Sequence, residues 1–264
     1  LDTIVEYRPD IIAYSIDVTG FERAKKFNRL AQEKHNFISI MGGAHPTFAP
    51  ETFAESGMDA YCIGEGEEAF ADFLIRVSAR MSYDDVPNLI TCKARNEVRP
   101  LIENLDAIPM PDRDLVLSNS GLKDVAKKSL YTTRGCYYFC KYCYNSFYRK
   151  LYLGKGKHVR RFPVERVIRE MEDVKSKYRM DFVRIGDDCF AVKADDWLKE
   201  FAKQYKNRIG IPFSCYLRID RISDELLSLL KYAGCYSVIM SIDSTSPKIR
   251  ETILGRKMPK DNSK

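Results

Sequence analysis

Three cysteines stand within one short loop, at Cys136, Cys140 and Cys143, in the run Arg134-Gly-Cys-Tyr-Tyr-Phe-Cys-Lys-Tyr-Cys143. The spacing C-x3-C-x2-C supplies three thiolates. Structural zinc takes four ligands in a closed tetrahedron, and the nearest histidine, His158, has no partner at metal-site spacing. A disulfide would strand one of the three sulfurs, and no secretory leader points to an oxidising compartment. Chance burial is the remaining bland reading, since a cysteine packs as a small hydrophobe. A four-iron four-sulfur cubane takes one thiolate per iron, so three thiolates leave one iron open to a small ligand. The loop reads as such a 4Fe-4S site, with Cys136, Cys140 and Cys143 as metal ligands.

Other polar residues close apolar runs further along. Gly186-Asp187-Asp188 follows Phe182–Ile185, Arg218 and Asp220 follow Phe213–Leu217, and Ser241-Ile-Asp243-Ser244 ends the run from Tyr236. A carboxylate such as Asp188 accepts charge-assisted hydrogen bonds from an ammonium. An arginine fork such as Arg218 suits a carboxylate, and an acid such as Asp243 accepts from paired hydroxyls. In the first part of the chain, Gly42-Gly-Ala-His-Pro-Thr47 and Gly64-Glu-Gly-Glu67 each follow an apolar run, and glycine pairs there make tight turns. Ser15, Gly42, Gly43, His45, Thr47, Gly64, Glu65 and Gly66 form the candidate ligand-facing set of these loops.

The elements that must position these residues alternate. Ile11–Ile16, Phe37–Met41 and Ala60–Ile63 read as strands. Between and after them lie helices over 21–35, with Phe21, Ala24, Phe27, Leu30 and Ala31 on one face, and around Phe70, Phe73, Leu74 and Val77. Such alternation gives a parallel sheet with ligands at the carboxyl ends of its strands. Prolines break regularity over 82–122, where 88–102 reads as a hairpin turning at Arg95-Asn96 and 106–114 as an extended connector. From Ser129–Thr133 the alternation resumes in longer units. Its helices run over 164–178, around Trp197, Leu198, Phe201 and Tyr205, and from Ser223 to Gly234. A last helix opens at Ser246-Pro247 and closes at Gly255. Four βα units of this kind read as part of a barrel.

The chain of 264 residues is 45% hydrophobic, enough for one large core or two modest ones. It has no run approaching the roughly eighteen apolar residues that a membrane span needs, and a reducing cytoplasm is the default compartment. Cys62, Cys92, Cys189, Cys215 and Cys235 are scattered and read as core or near-core thiols. The net charge is +6, yet 123–161 holds eleven Lys and Arg against Asp124 alone. Such a patch attracts anions, or is a solvated rim of the cysteine loop. A start at Leu1 and a polar finish suggest a fragment of a longer protein.

The cysteine loop, with aromatic Tyr142 before the third cysteine, resembles that of the radical S-adenosylmethionine (SAM) superfamily. The resemblance implies that SAM's amino and carboxylate groups chelate the open iron, and that an electron from the cluster cleaves SAM to methionine and a 5′-deoxyadenosyl radical. It places Asp188 in the acidic segment that receives SAM's amino group. The family segment near Ser241 usually reads Gly-x-Glu-Ser, so the shorter Asp243 leaves the ribose contact to Ser241 or water. The superfamily barrel usually has six units, so about two are absent. The loops of 42–47 and 64–67, and Ile108-Pro-Met-Pro-Asp-Arg113 in the place of Leu-Pro-x-Pro-Asp-Arg, resemble the cobalamin-dependent branch. No Asp-x-His-x-x-Gly sequence supplies a cobalt-coordinating histidine, and His45 reads as a turn residue rather than a cobalt ligand.

The expectation is therefore an α/β chain. A partial Rossmann-like cobalamin-binding domain over 1–81 and a connector over 82–122 precede a partial radical-SAM (βα) barrel over 123–264. Its implied cofactors are a 4Fe-4S cluster, SAM and cobalamin. Its implied activity is methylation of an unactivated carbon in a small-molecule or lipid substrate, with an electron donor such as flavodoxin or ferredoxin. Ring closure or rearrangement is an alternative outcome within the family. A tRNA methylthiotransferase is another, suggested by Tyr148, Tyr152 and Phe162 among the basic residues. That enzyme needs three further cysteines upstream, where only Cys62 and Cys92 stand, and a nucleic-acid partner is not expected. A non-catalytic iron–sulfur or zinc module is the rival of another class.

Overall fold

A computed structural model describes residues 1–118 and 121–258. It divides into two compact units, Leu1–Ile102 with Phe147–Gly156, and Glu103–Ser146 with Lys157–Lys264. The hairpin residues 88–102 thus group with the first unit and the connector 106–114 with the second. The polar finish at 259–264 lies outside the described residues, as do 119–120 of the connector.

In the first unit, β1 (Ile11–Ser15), β2 (Ile38–Gly42) and β3 (Ala60–Cys62) run parallel, and β4 (Leu89–Thr91) joins antiparallel, in the order β1-β2-β3-β4. Ser15 pairs with Gly42 at the carboxyl ends of β1 and β2. The turn before helix Phe21–Gln32 is fixed by Asp17, whose carboxylate accepts from the Thr19 and Gly20 N–H groups. That helix buries Phe21, Ala24, Asn28 and Ala31. Phe27, expected in the buried stripe, is 37% exposed. Asn28 takes the inward place because its amide is bonded at both ends, accepting from Tyr14 Oη at 2.9 Å and donating to the Gly57 carbonyl at 2.9 Å. Helix Glu67–Ser78 carries Glu67 and Glu68 in its first turn, where acids complement the helix dipole. It buries Ala69 and Phe73 and leaves Leu74 exposed, contrary to the expected face. The hairpin turns at Thr91–Ala94 rather than Arg95-Asn96. Thr91 Oγ1 accepts from the N–H groups of Lys93 and Ala94 and so makes the turn itself, while the Asn96 amide reaches back to the Asp84 and Leu89 carbonyls.

In the second unit, β5 (Lys127–Leu130), β8 (Phe182–Ile185), β9 (Phe213–Tyr216) and β10 (Cys235–Ile239) form one parallel sheet in the order β5-β8-β9-β10. A two-residue antiparallel pair, β6 (Thr133–Arg134) with β7 (Arg160–Arg161), flanks the cysteine loop. The first strand ends at Leu130 rather than Thr133 because the Asp187 carboxylate accepts the N–H groups of Thr132 and Thr133. Their donors leave the ladder, and the chain turns away. Helix Val164–Lys177 lays Val164, Val167, Ile168, Met171 and Val174 on a core with Val183, Ile185, Phe190, Phe201 and Phe213. Its Arg166 holds the connector by donating to the carbonyls of Asp106, Ile108 and Pro109.

Ser223 caps helix Asp224–Ala233 by accepting from the Leu226 N–H, and Gly234 ends it at φ +99°. The last helical segment opens at Pro247 as expected, with the Arg250 N–H on the Ser246 carbonyl, and then widens. It is a wide turn over Ile249–Ile253 in which the Leu254 N–H reaches the Ile249 carbonyl. No described helix is long and apolar enough to cross a membrane.

Candidate functional site

The cysteine loop leaves β6 at Gly135, whose φ is +80° and whose Cβ would lie 2.2 Å from the His158 carbonyl oxygen. Only glycine fits there. The loop is then closed by its own bonds. The Cys143 N–H donates to the Cys140 carbonyl, and Ser146 Oγ donates to the same oxygen at 2.8 Å. The Lys141 N–H reaches the Leu254 carbonyl at 2.9 Å.

Cys136, Cys140 and Cys143 are all half-buried and line one cavity of about 230 Å³. Asp188, Arg218 and Ser241 from three strand ends line it too, as do Tyr138, Tyr142, Asn145, Cys189 and Arg256. Burial pushes the Cys136 thiol up, and the neighbouring Asp188, Cys143 and Cys140 push it the same way. Among the described residues, no three His, Cys, Asp or Glu side chains meet as a ready-made metal cage. The donor chemistry nevertheless suits thiolate ligation. Arg218 Nη1 stands 3.7 Å from Cys140 Sγ, and Asn145 Nδ2 stands 3.8 Å from Cys143 Sγ, each with an N–H to give. Soft sulfur ligands with polar donors behind them fit an iron–sulfur cluster.

The two aspartates at the end of β8 face opposite ways. Asp187 is 1% exposed and holds the Thr132 and Thr133 backbone. Burial raises its carboxyl to about 6, against hydrogen bonds from Thr132 and Thr133 that hold it down. Asp188 is exposed and accepts Tyr144 Oη on both oxygens at 2.6 Å and Asn145 Nδ2 at 3.0 Å. Arg218 is 7% exposed. Its Nε and Nη2 bind Asp220 at 2.8 and 3.0 Å, Nη2 also reaches the Lys257 carbonyl, and its guanidinium lies 3.8 Å from the centre of the Tyr138 ring. Among the described residues, one N–H of Nη1 remains, so Arg218 presents no two-pronged fork to a carboxylate.

Ser241 Oγ donates to Asp243, which also accepts Tyr142 Oη at 2.6 Å and pairs with Arg256. Burial alone would raise the Asp243 carboxyl, but bonds from Ser241 and Tyr142 and the Arg256 charge outweigh it and hold it low. Asp243 itself does not line the cavity; Ser241 does.

In the first unit a second cavity of about 360 Å³ opens at the carboxyl ends of β1 to β3. Ser15, Gly42, Gly43 and Gly66 line it, together with Ala13, Tyr14, Ile40, Cys62, Glu67 and Phe70. The rest of the expected loop set does other work. His45 stacks on Phe21 at 4.1 Å between ring centres, and its Nε2 meets Thr52 Oγ1 at 3.0 Å. Thr47 Oγ1 donates to the Gly43 carbonyl and accepts the Gly64 N–H, tying the two loops together. Gly64, at φ +75°, lies beneath Tyr152, whose oxygen accepts the Glu65 N–H at 2.7 Å. Glu65 Oε2 accepts the Ile102 N–H. Gly43, at φ +96°, has no room for a Cβ, which would sit 2.9 Å from the Ile16 backbone. Cys92, expected near the core, is exposed.

Sequence reasoning missed Asn145 and Tyr138 at the cysteine cavity, Tyr144 behind Asp188, and Arg256. The first three lie within or just past the cysteine run, where proximity alone could have found them. Arg256 carries no local signal, since its place depends on the wide turn before it.

Residues 1–74 match the family model of the B12 binding domain. Residues 130–263 match that of the Radical SAM superfamily. The chain is 30% identical over 258 residues to an uncharacterized methyltransferase of Pyrococcus horikoshii, covering 95% of this chain and 55% of that one. It is 32% identical over 157 residues to TokK of Streptomyces tokunonensis, a cobalamin-dependent radical SAM methyltransferase, covering 54% of this chain and 22% of TokK. Among solved structures, that of OxsB, a cobalamin-dependent SAM radical enzyme with aqua-cobalamin and SAM bound, superposes with a TM-score of 0.78. That match is 18% identical and covers 99% of this chain and 39% of OxsB, so it speaks to the fold alone. The chain spans about half the length of the Pyrococcus relative.

Proposed function

The chain belongs to the radical SAM superfamily, and we propose that it is the cofactor-bearing part of a cobalamin-dependent methyltransferase that cleaves SAM reductively and methylates an unactivated carbon. The observation that carries this reading is the gathering of Cys136, Cys140 and Cys143 around one cavity with Asp188, Arg218 and Ser241. The methyltransferase relatives and the match to the B12 binding domain favour methyl transfer over ring closure.

When bound, the cluster and cobalamin would supply electron transfer to SAM and a carrier for the methyl group. The chain's residues do the positioning. Cys136, Cys140 and Cys143 would hold three irons. Asp188 turns its carboxylate outward, steadied by Tyr144 and Asn145, and would accept the SAM ammonium. Arg218 has one N–H left to offer the SAM carboxylate. Ser241 faces the cavity and would meet the ribose, with Asp243 behind it as acceptor of its proton. Ser15, Gly42, Gly43 and Gly66 would border cobalamin.

A small-molecule or lipid substrate and a one-electron donor of the flavodoxin or ferredoxin type complete the scheme, in a reducing cytoplasm. The tRNA reading loses its motivation, because Tyr152 is 3% exposed over Gly64 and Phe162 packs on the second core.

The test is anaerobic turnover. The reduced full-length enzyme should form 5′-deoxyadenosine from SAM. Asp188→Ala should weaken SAM binding roughly tenfold or more, the worth of one charge-assisted bond, without loss of cluster absorption. Unchanged SAM affinity in that variant would remove Asp188 from the scheme.

A further inference from the structure

Arg218 is built to act on a sulfur. It follows β9, far in sequence from the cysteine loop, and is held on every side. Asp220 takes Nε and Nη2 as a parallel pair, the Lys257 carbonyl takes the other Nη2 proton, and the guanidinium carbon lies 3.8 Å from the centre of the Tyr138 ring. Tyr138 is itself placed between Cys136 and Cys140, and Arg221 Nε fixes its hydroxyl at 3.1 Å. What this arrangement presents to the cavity is Nη1, aimed at Cys140 Sγ from 3.7 Å. A guanidinium cannot lose its charge, so the donor carries a full positive charge into a 7% exposed position. Asp220, 6% exposed, partly offsets it.

Resting on the functional reading above, we infer that Arg218 and Asp220 form a positioning pair that sets the reduction potential of the cluster through Cys140. One-electron reduction adds negative charge to the cluster and its thiolates. A charged N–H donor beside one sulfur stabilises that reduced state more than the oxidised one and raises the potential, and the Asp220 carboxylate tempers the effect. Among the described residues, Cys143 meets the neutral Asn145 amide at 3.8 Å where Cys140 meets a charged donor, so these two thiolates are not equivalent. Low-potential chemistry gains a set point from the unequal distances of the two opposite charges from the sulfur.

The test is a potentiometric titration of the anaerobically reconstituted full-length enzyme without SAM, followed by electron paramagnetic resonance of the reduced cluster. Arg218→Met should shift the midpoint to more negative values, with iron content at the wild-type level. Arg218→Lys, which keeps the charge and loses the fork, should shift it less in the same direction. Asp220→Asn should shift it the opposite way. Unmoved midpoints in Arg218→Met and Asp220→Asn, with intact clusters, would overturn the inference. So would an unmoved midpoint in Arg218→Met accompanied by loss of SAM affinity, which gives Arg218 to the SAM carboxylate. Should Arg218→Met fail to retain a cluster, the sign in Asp220→Asn decides: a positive shift supports the pair, and no shift or a negative one refutes it. A wild-type enzyme that builds no cluster would fail earlier, and would remove the functional reading along with this one.

Discussion

Asp187 and Asp188 are chemically identical neighbours with opposite fates, and the difference is burial. Asp187 is enclosed and raised to about 6 by desolvation, while it anchors the Thr132 and Thr133 backbone. A carboxyl whose folded value exceeds its unfolded one binds more protons in the native state between the two, so stability falls as pH rises through that window. A rise from the usual carboxylate range to about 6 corresponds to about 3 kcal/mol. Against Asp187→Asn, the wild type should therefore lose on the order of 2–3 kcal/mol between about pH 4 and pH 6.5. Denaturant unfolding of both proteins across that range checks it, and a constant gap would refute it. The pair shows what was legible at this scale. Its position at a strand end followed from the apolar run before it, but which aspartate turns inward depends on where β5 lies, which no local pattern states. The same holds for Arg218. An arginine after a strand suggested an anion, and only the fold reveals that Asp220 takes its fork and that Tyr138 and Cys140 lie beside it. His45 and Thr47 stood in a loop that suggested a ligand, yet their side chains serve Thr52, Phe21 and the Gly43 carbonyl.

At the scale of elements, the strongest signals were amphipathic stripes and caps. Helix Val164–Lys177 lies within one residue of its expected span, because five apolar side chains recur on one face and meet the sheet. Met171, fully buried, should cost about 2–5 kcal/mol as alanine. Ser223→Ala should cost roughly 1 kcal/mol by stripping the Leu226 N–H of its acceptor. Chemical denaturation of the two variants tests the ranking, and a cap costing as much as the core residue would contradict it. Elements were misread where a side chain competed with the backbone. Asp187 ended β5 early, Thr91 moved the hairpin turn, and Asn28 displaced Phe27 from the buried face. Each is a long-range or side-chain hydrogen bond that periodicity does not encode. The segment at Ile249–Ile253 is a different case: the helix opens at Pro247 as read, and nothing in Ser246-Pro247 signals that its backbone bonds then widen.

For the whole molecule, the α/β alternation, the parallel run of β1 to β3, the parallel second sheet and the family were readable from spacing and motif together. The grouping of 147–156 with the first unit was not. It rests on Tyr152 lying over Gly64 and on the Leu101 N–H donating to the Lys155 carbonyl. The cavity at β1 to β3 separates two kinds of glycine. Gly66 has a negative φ and its Cβ would stand 3.4 Å from Cys62 Sγ, so Gly66→Val should fold and release cobalamin on desalting. Gly43→Val should instead destabilise the unit itself, because its Cβ has no space beside Ile16. Retention of cobalamin by a folded Gly66→Val protein would remove Gly66 from the cofactor's border. In the wild type, the cob(II)alamin form should show no nitrogen superhyperfine splitting from protein, His45 being already engaged with Thr52.

The central claim is a four-iron cluster with one iron left open by Cys136, Cys140 and Cys143. Mössbauer spectroscopy of anaerobically reconstituted, iron-57-enriched enzyme, with and without SAM, tests it most directly. About four irons per chain with matching acid-labile sulfide, one of them changing its signal when SAM is added, is the outcome the account predicts, with Cys140→Ala losing the cluster. Stoichiometric zinc without sulfide, or four irons that all ignore SAM, would contradict it.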